Sequence, residues 1–231
     1  ANDQYSRRAK EHSYRARSAF KLLQINEKFN FIKPGLVALD AGAAPGSWCQ
    51  VLSELIFPLN PESNLNETFT KNINNLKQMV NKTSQEGYIL GIDLLPVSPI
   101  NGVDLLCKAD FLKPATQAEI IRRLSGRQVN LLLSDMAPNP IGDSHADHFR
   151  IIQLCKSLLD FGTKEIEGKT ILAKDGIFLC KIFDGQDREE FKKLLKEQFR
   201  RVQFIKPEAS RDSSSEMYIF ASGFSDDKRR R

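Results

Sequence analysis

The sequence is poor in the residues that staple or metallate small proteins. Its 231 residues hold four cysteines and three histidines. Cys49, Cys107, Cys155 and Cys180 form no CxxC pair, and no histidine stands near them at ligand spacing. That argues against a zinc site and against a disulfide framework, so no metal is expected. Three of the four cysteines lie inside apolar runs, where a free thiol behaves as a small buried hydrophobe, in keeping with a reducing compartment. No apolar run approaches the roughly 18 residues of a bilayer span, and no secretory h-region is present. A start at Ala1 rather than Met is consistent with a processed or trimmed N-terminus. Sequons at Asn66 and Asn81 therefore read as unmodified loop asparagines. Also missing is the full G-x-G-x-x-G of dinucleotide enzymes, which weighs against a nucleotide-dependent dehydrogenase. His145 and His148 follow Gly142-Asp143 and read as unliganded histidines of a mobile loop.

What is present is an ordinary globular composition, 41% hydrophobic and 27% charged, in a chain long enough for one large domain with its own core. The net charge of +5 leans towards a polyanionic partner without establishing one. We expect a single domain over residues 1–225, with mobile ends at 1–6 and in the charged tail 226–231. Residues 13–29 read as an amphipathic helix with Phe20, Leu23, Ile25 and Phe29 inward. Short strands at 36–39, 88–95, 104–106, 129–134 and 177–183 alternate with helices at 47–56, 116–124, 147–161 and 188–199. Two closing strands, 202–206 and 217–221, follow one another directly. Alternating strands and helices imply a mostly parallel sheet with helices on both faces, closed by an antiparallel hairpin. Residues 58–87, polar and Asn-rich, read as a surface insertion.

Four acids mark one edge of that sheet. The first strand runs into Asp40-Ala41-Gly42-Ala43-Ala44-Pro45-Gly46-Ser47-Trp48, a glycine-rich turn that opens a helix. Asp93 stands at the tip of the second strand, placed to accept both hydroxyls of a ribose. Asp110 follows the third strand and is suited to an exocyclic amine of adenine, and Asp135 follows the fourth. Each alone could be a helix cap or turn residue; together they point to a nucleoside cofactor. Lys181 interrupts the apolar run 177–183, a costly position unless the charge is paired or lost. Lys21 sits in Ala19-Phe20-Lys21-Leu22-Leu23 and Glu216 opens the last strand; both are ordinary residues on this evidence.

The segments 14–22, 40–48, Asp93-Leu94-Leu95-Pro96, 134–139, Cys180-Lys181-Ile182-Phe183 and 206–216 resemble, in order, the motifs of the FtsJ/RrmJ family of ribosomal RNA 2′-O-methyltransferases. The resemblance covers nearly the whole chain and is nearest to the family's mitochondrial branch. It implies a Rossmann-like S-adenosylmethionine (SAM) methyltransferase sheet of seven strands with the last antiparallel. It implies a SAM pocket formed by Gly42, Ala44, Pro45, Gly46, Ser47 and Trp48, with Asp93 on the ribose, Asp110 on the adenine and Asp135 at the methionine end. It also implies a catalytic tetrad of Lys21, Asp135, Lys181 and Glu216; because a ribose hydroxyl is a very weak acid, we expect a neutral Lys181 as the general base with Lys21 as its neighbouring cation. The expected substrate is a ribose, a uridine's by resemblance, in large-subunit ribosomal RNA or a pre-ribosomal particle. Arg7, Arg8, Lys10, Arg15, Arg17 and Arg211 would meet its phosphates. A monomer with no membrane span, mitochondrial or alternatively cytoplasmic, completes the expectation. Transfer RNA or mRNA-cap methylation, and an rRNA-binding assembly factor, are the other functions compatible with these residues.

Overall fold

The computed structural model describes residues 4–57, 87–139, 141–211 and 214–226. The expected insertion up to residue 86 with its two sequons, and the tail from 227 onward, lie outside the described residues. The expected mobile start at 1–6 is replaced from Gln4 onward by a helix, α1 (Gln4–Glu11). The single helix expected over 13–29 begins only at Ser18, as α2 (Ser18–Phe29). Ser13 adopts a left-handed φ of 60°, and the Tyr14 N–H returns to the Ala9 carbonyl (2.8 Å). That conformation ends a helix for an L-residue, yet neither Gly nor Pro marks it in the sequence.

From there the chain alternates: β1 (Val37–Ala41), α3 (Ser47–Ile56), β2 (Tyr88–Asp93), β3 (Val103–Cys107), α4 (Pro114–Leu124), β4 (Val129–Ser134) and α5 (Ser144–Gly162). Pro114 suits the first turn of α4, where its missing N–H is not needed. Asp143, expected in a mobile loop, instead caps α5 by accepting from the His145 and Ala146 N–H groups (2.9 and 3.2 Å). Both histidines of the expected loop therefore belong to that helix.

A small hairpin, β5 (Glu165–Ile166) and β6 (Lys169–Thr170), leads into β7 (Leu172–Phe183), then α6 (Arg188–Lys196), β8 (Phe199–Ile205) and β9 (Glu216–Phe224). The hairpin turns on Glu167 and Gly168, both at positive φ (51° and 80°). Asn or Asp is the usual sequence signal at the first of these positions, so Glu167 hides the turn.

Seven strands form one sheet in the order β3-β2-β1-β4-β7-β9-β8. Among these strands β9 alone runs opposite in direction to the other six, as the closing hairpin required. One face packs on α4, α5 and α6 through Ile120, Ile151, Leu158 and Phe191. The other packs on α2 and α3 through Leu22, Ile25, Val51 and Leu52. Successive strand residues feed opposite faces: Leu132 joins the first cluster and Leu131 and Leu133 the second. After β1 the chain leaves towards β2 and β3 and then returns to β4 on β1's other side. Such a switch point opens a crevice beyond the strand ends. Leu132, fully buried, lies away from that crevice; Leu132→Ala should destabilise the fold by about 2–5 kcal/mol, read as a lower urea midpoint at unchanged slope.

Candidate active site

The crevice is built first by glycine. Gly42 and Gly46 have φ of 84° and 111°, a region that L side chains rarely enter. Space forbids a side chain as well: a Cβ on Gly42 would lie 2.5 Å from the Met136 side chain, and one on Gly46 would lie 2.7 Å from the Arg15 guanidinium. The turn is then pinned to β2. The Gly42 and Ala43 N–H groups donate to the Ile92 carbonyl (2.8 and 3.0 Å), and the Ala44 N–H donates to Asp93 Oδ2 (2.8 Å).

These ties frame a cavity of about 710 Å³ whose lining includes Gly42, Ala44, Asp93, Asp110, Asp135 and Pro138. Its rim carries Leu94, Leu95, Leu112 and Phe149, each at least half exposed. Apolar side chains gathered in this way around converging acids suit a ligand with an apolar ring and polar edges. Asp93 Oδ1 also accepts from the Leu95 N–H (2.7 Å), and Asp110 Oδ1 from the Leu112 N–H (3.0 Å). Each acid is thereby fixed in direction with lone pairs to spare.

The structure differs here from the pocket expected of the sequence. Pro45, Gly46, Ser47 and Trp48 are not among the lining residues. Ser47 and Trp48 are buried, the Ser47 hydroxyl paired with that of Ser18 (2.6 Å) and the Trp48 indole donating to the Ser18 carbonyl (2.9 Å). These four residues shape the turn and open α3, whose first N–H groups have no intrahelical acceptor.

Arg15 also departs from the phosphate contact expected of it. Its guanidinium donates to the carbonyls of Pro45 (3.1 Å), Ser98 (2.8 Å) and Pro99 (2.9 Å). It therefore braces the glycine turn against the segment after β2. Arg17 donates to the Ala209 carbonyl (2.5 Å), while Arg7, Arg8, Lys10 and Arg211 are exposed.

Beside the cavity two lysine–carboxylate pairs meet. Lys181 Nζ lies 3.1 Å from Asp135 Oδ1 and donates to the Asp135 carbonyl (2.5 Å). Lys21 Nζ lies 2.5 Å from Glu216 Oε1, which also accepts from the Ser210 hydroxyl (3.0 Å). All four side chains are 10–18% exposed. Lys21 is thus not a free cation beside Lys181; each lysine has a carboxylate of its own.

Tyr218 joins the two pairs. It faces Lys181 in the β7–β9 register, donates to Asp135 Oδ1 (2.7 Å), and has Lys21 Nζ 6.0 Å from its ring centre. Burial and then the Asp135 and Glu216 charges push its hydroxyl well above the usual range, so it stays a donor. Reading the sequence missed Tyr218, although its place two residues beyond Glu216 puts both on one strand face.

Asp40 lies in β1, just before the turn. It is fully buried; Oδ2 accepts from the Cys49 thiol (3.2 Å) and Oδ1 has no partner among the described residues. Burial first, and then Asp135 and Asp93, push its carboxyl up to about 7. Asp93, Asp110 and Asp135 line the crevice, and an acidic lining of this kind suits a cationic ligand. Among the described residues no cluster of His, Cys, Asp and Glu could hold a metal ion.

The FtsJ-like methyltransferase family model matches residues 14–224. The chain is 42% identical to the mitochondrial rRNA methyltransferase 2 of Caenorhabditis elegans, over 97% of its own length and 91% of the relative's. It is 39% identical to the ribosomal RNA large subunit methyltransferase E of an Azoarcus species, over 94% and 90%. The crystal structure of a Plasmodium falciparum protein assigned as a ribosomal RNA methyltransferase superposes with a TM-score of 0.69 at 26% identity, covering 91% of this chain and 98% of that one.

The chain belongs to the FtsJ-like methyltransferase family. As an FtsJ-like methyltransferase it uses SAM as its methyl donor. The cavity fits that donor: the glycine cradle admits no Cβ, the leucine rim suits an adenine ring, and the lining acids Asp93, Asp110 and Asp135 suit a ligand bearing a sulfonium and an ammonium.

Arg15→Ala frees the turn at Pro45 and Gly46, and SAM affinity measured by calorimetry should fall about tenfold, the loss of one charge-assisted contact set. Arg15→Lys should not restore it, since an ammonium cannot span three carbonyls as a planar fork does. For Asp40 the sign is fixed by the native carboxyl holding a proton that the unfolded chain, at its ordinary value of 3.8, has released. Stability therefore falls as pH rises between those values. Asp40→Asn cannot ionise and should remove most of that fall, on the order of 2–4 kcal/mol between pH 4 and pH 8, measured as urea midpoints at each pH.

Proposed function

We propose that this FtsJ-like methyltransferase methylates a ribose 2′-hydroxyl, a uridine's on the family resemblance, in large-subunit ribosomal RNA, with Lys21, Asp135, Lys181 and Glu216 as its catalytic side chains. The reading is carried by the two nearly buried lysine–carboxylate pairs joined through Tyr218 at the edge of the cofactor cavity. Its substrate comes from the relatives, one a mitochondrial rRNA methyltransferase and the other a large-subunit one. The first of them also supports a mitochondrial address.

When bound, SAM supplies a methyl group made electrophilic by its sulfonium. From the cavity lining, Asp93 would hold the donor's ribose hydroxyls, Asp110 its adenine amine and Asp135 its methionine end. Asp135 faces the cavity with one oxygen held by Tyr218 and Lys181, so its direction is set before substrate arrives. The 2′-hydroxyl is a very weak acid and needs a base within hydrogen-bond reach. Lys181, once it has given up its own proton, would accept the hydroxyl proton at Nζ as the ribose oxygen bonds to the methyl carbon and the methyl–sulfur bond breaks, its electron pair leaving on the sulfur of S-adenosylhomocysteine. Lys21 and Glu216 orient the ribose from the opposite side, and Ser210 holds the Glu216 carboxylate in place. Positioning of this kind supplies much of the rate of an in-line displacement.

The substrate is the RNA alone or a pre-ribosomal particle, met by a monomer whose methyltransferase domain spans residues 1–225. Lys181→Ala should reduce single-turnover methylation of ribosomal RNA at least a thousandfold, about 4 kcal/mol of barrier, while SAM binds as before. Mapping ribose methylation in cells lacking the protein should reveal one missing site in large-subunit rRNA. Wild-type turnover by Lys181→Ala would remove the base, and a missing site in transfer RNA or an mRNA cap would replace the substrate.

A further inference from the structure

Where α1 and α2 fold together, a second cavity of about 350 Å³ opens, lined in part by Arg8, His12, Tyr14, Phe20, Gln24 and Glu27. It lies outside the cofactor site and shares no lining residue with it. Its wall is aromatic. The His12 ring stacks on Tyr14 (centroids 6.4 Å apart, 23° between planes), and both meet Phe20 edge-on (6.0 and 5.8 Å). The Arg8 guanidinium lies 4.9 Å from the Phe20 ring centre.

The wall is held rigid from behind. The Tyr14 hydroxyl donates to Glu54 (2.6 Å), Gln24 accepts from the Ala209 N–H (2.9 Å), and Phe20 packs with Ala9 and Ala209. A preformed wall reduces the ordering cost of binding. At the mouth His12 and Glu27 are exposed, and the Glu27 carboxylate has no partner among the described residues. Ring faces, a guanidinium and an open carboxylate are an expensive way to fill a gap between two helices, and a suitable set for a nucleobase. Phe20 also directly precedes Lys21, so the pocket adjoins the lysine that pairs with Glu216.

We propose that this pocket takes one unstacked base of the RNA substrate, close to the methylated nucleotide, and that guanine fits it best. The inference rests on the RNA substrate proposed above. The base stacks against the His12–Tyr14 wall, and Arg8 with its neighbours Arg7 and Lys10 meets the flanking phosphates. Glu27 accepts hydrogen bonds at the base edge. Guanine alone presents two adjacent donors there, N1–H and the N2 amine, to which a carboxylate can bind with both oxygens.

The test uses fluorescein-labelled RNA 12-mers of uridine with and without one central guanosine, followed by anisotropy on the full chain. The guanosine 12-mer should bind wild type about tenfold more tightly than the all-uridine one. Glu27→Gln should abolish that preference while leaving the all-uridine affinity unchanged. His12→Ala should weaken both about tenfold with an unchanged salt slope, because stacking releases no counterions. SAM affinity unchanged in both variants shows that they fold. Preference retained in Glu27→Gln, or wild-type affinity in His12→Ala, overturns the pocket even if ribosomal RNA is methylated normally. The expected affinities in a protein that methylates no ribosomal RNA would keep the pocket and overturn the substrate.

Discussion

Lys181 places an ammonium in the apolar run near the end of β7, with Cys180 and Ile182 fully buried on either side. A charge there is tolerable only if its partner comes from a neighbouring element and the geometry is close. Asp135, one residue beyond the end of the adjacent strand β4, meets the need twice, through its carboxylate and its own carbonyl. That requirement fixes more than one contact. It holds the chain after β4 at the cavity mouth, draws Tyr218 across from β9 to the same carboxylate, and so ties together the sheet's parallel part and its antiparallel edge. The second pair repeats the arrangement between α2 and the start of β9. Removing one partner of such a pair leaves an uncompensated charge, so the site stabilises the sheet end only as a complete set.

The sequence discloses this arrangement unevenly, for physical reasons. Strand and helix types follow from periodicity, and β4 and α3 appear at their observed limits because fully apolar or strongly amphipathic segments leave little choice. The break at Ser13 and the turn at Glu167 were hidden because residues other than Gly, Asn or Asp carry the left-handed conformation there. Lys181 is legible because a charge in an apolar run contradicts its surroundings. Lys21 and Glu216 contradict nothing locally; a family pattern picks them out, and the structure brings them within 2.5 Å. Tyr218 is the instructive miss. An aromatic residue in a buried strand looks like core, and only the pairing of β7 with β9 shows that its hydroxyl faces Asp135 rather than more hydrocarbon. Arg15 shows the opposite failure: among so many basic residues it looked like one more phosphate contact, and its use on three carbonyls depends on a close approach that no spacing announces.

The N-terminal segment therefore has two tasks that meet within a few residues. Arg15 reaches back to the turn that cradles the donor, while Phe20 and Lys21 face the aromatic pocket and the carboxylate of Glu216. Both depend on the same short connection between α1 and α2, itself tied to α3 by the Arg15 N–H and Ser13 carbonyl bonds to Gln50 (2.9 and 3.0 Å). A shift of that connection would move the donor's turn and the acceptor's wall together. Coupling between two ligands requires an element whose position both of them bias. The residues around Arg15 are such an element, which gives a physical reason for one small segment to carry contacts to both halves of a reaction that requires them in line.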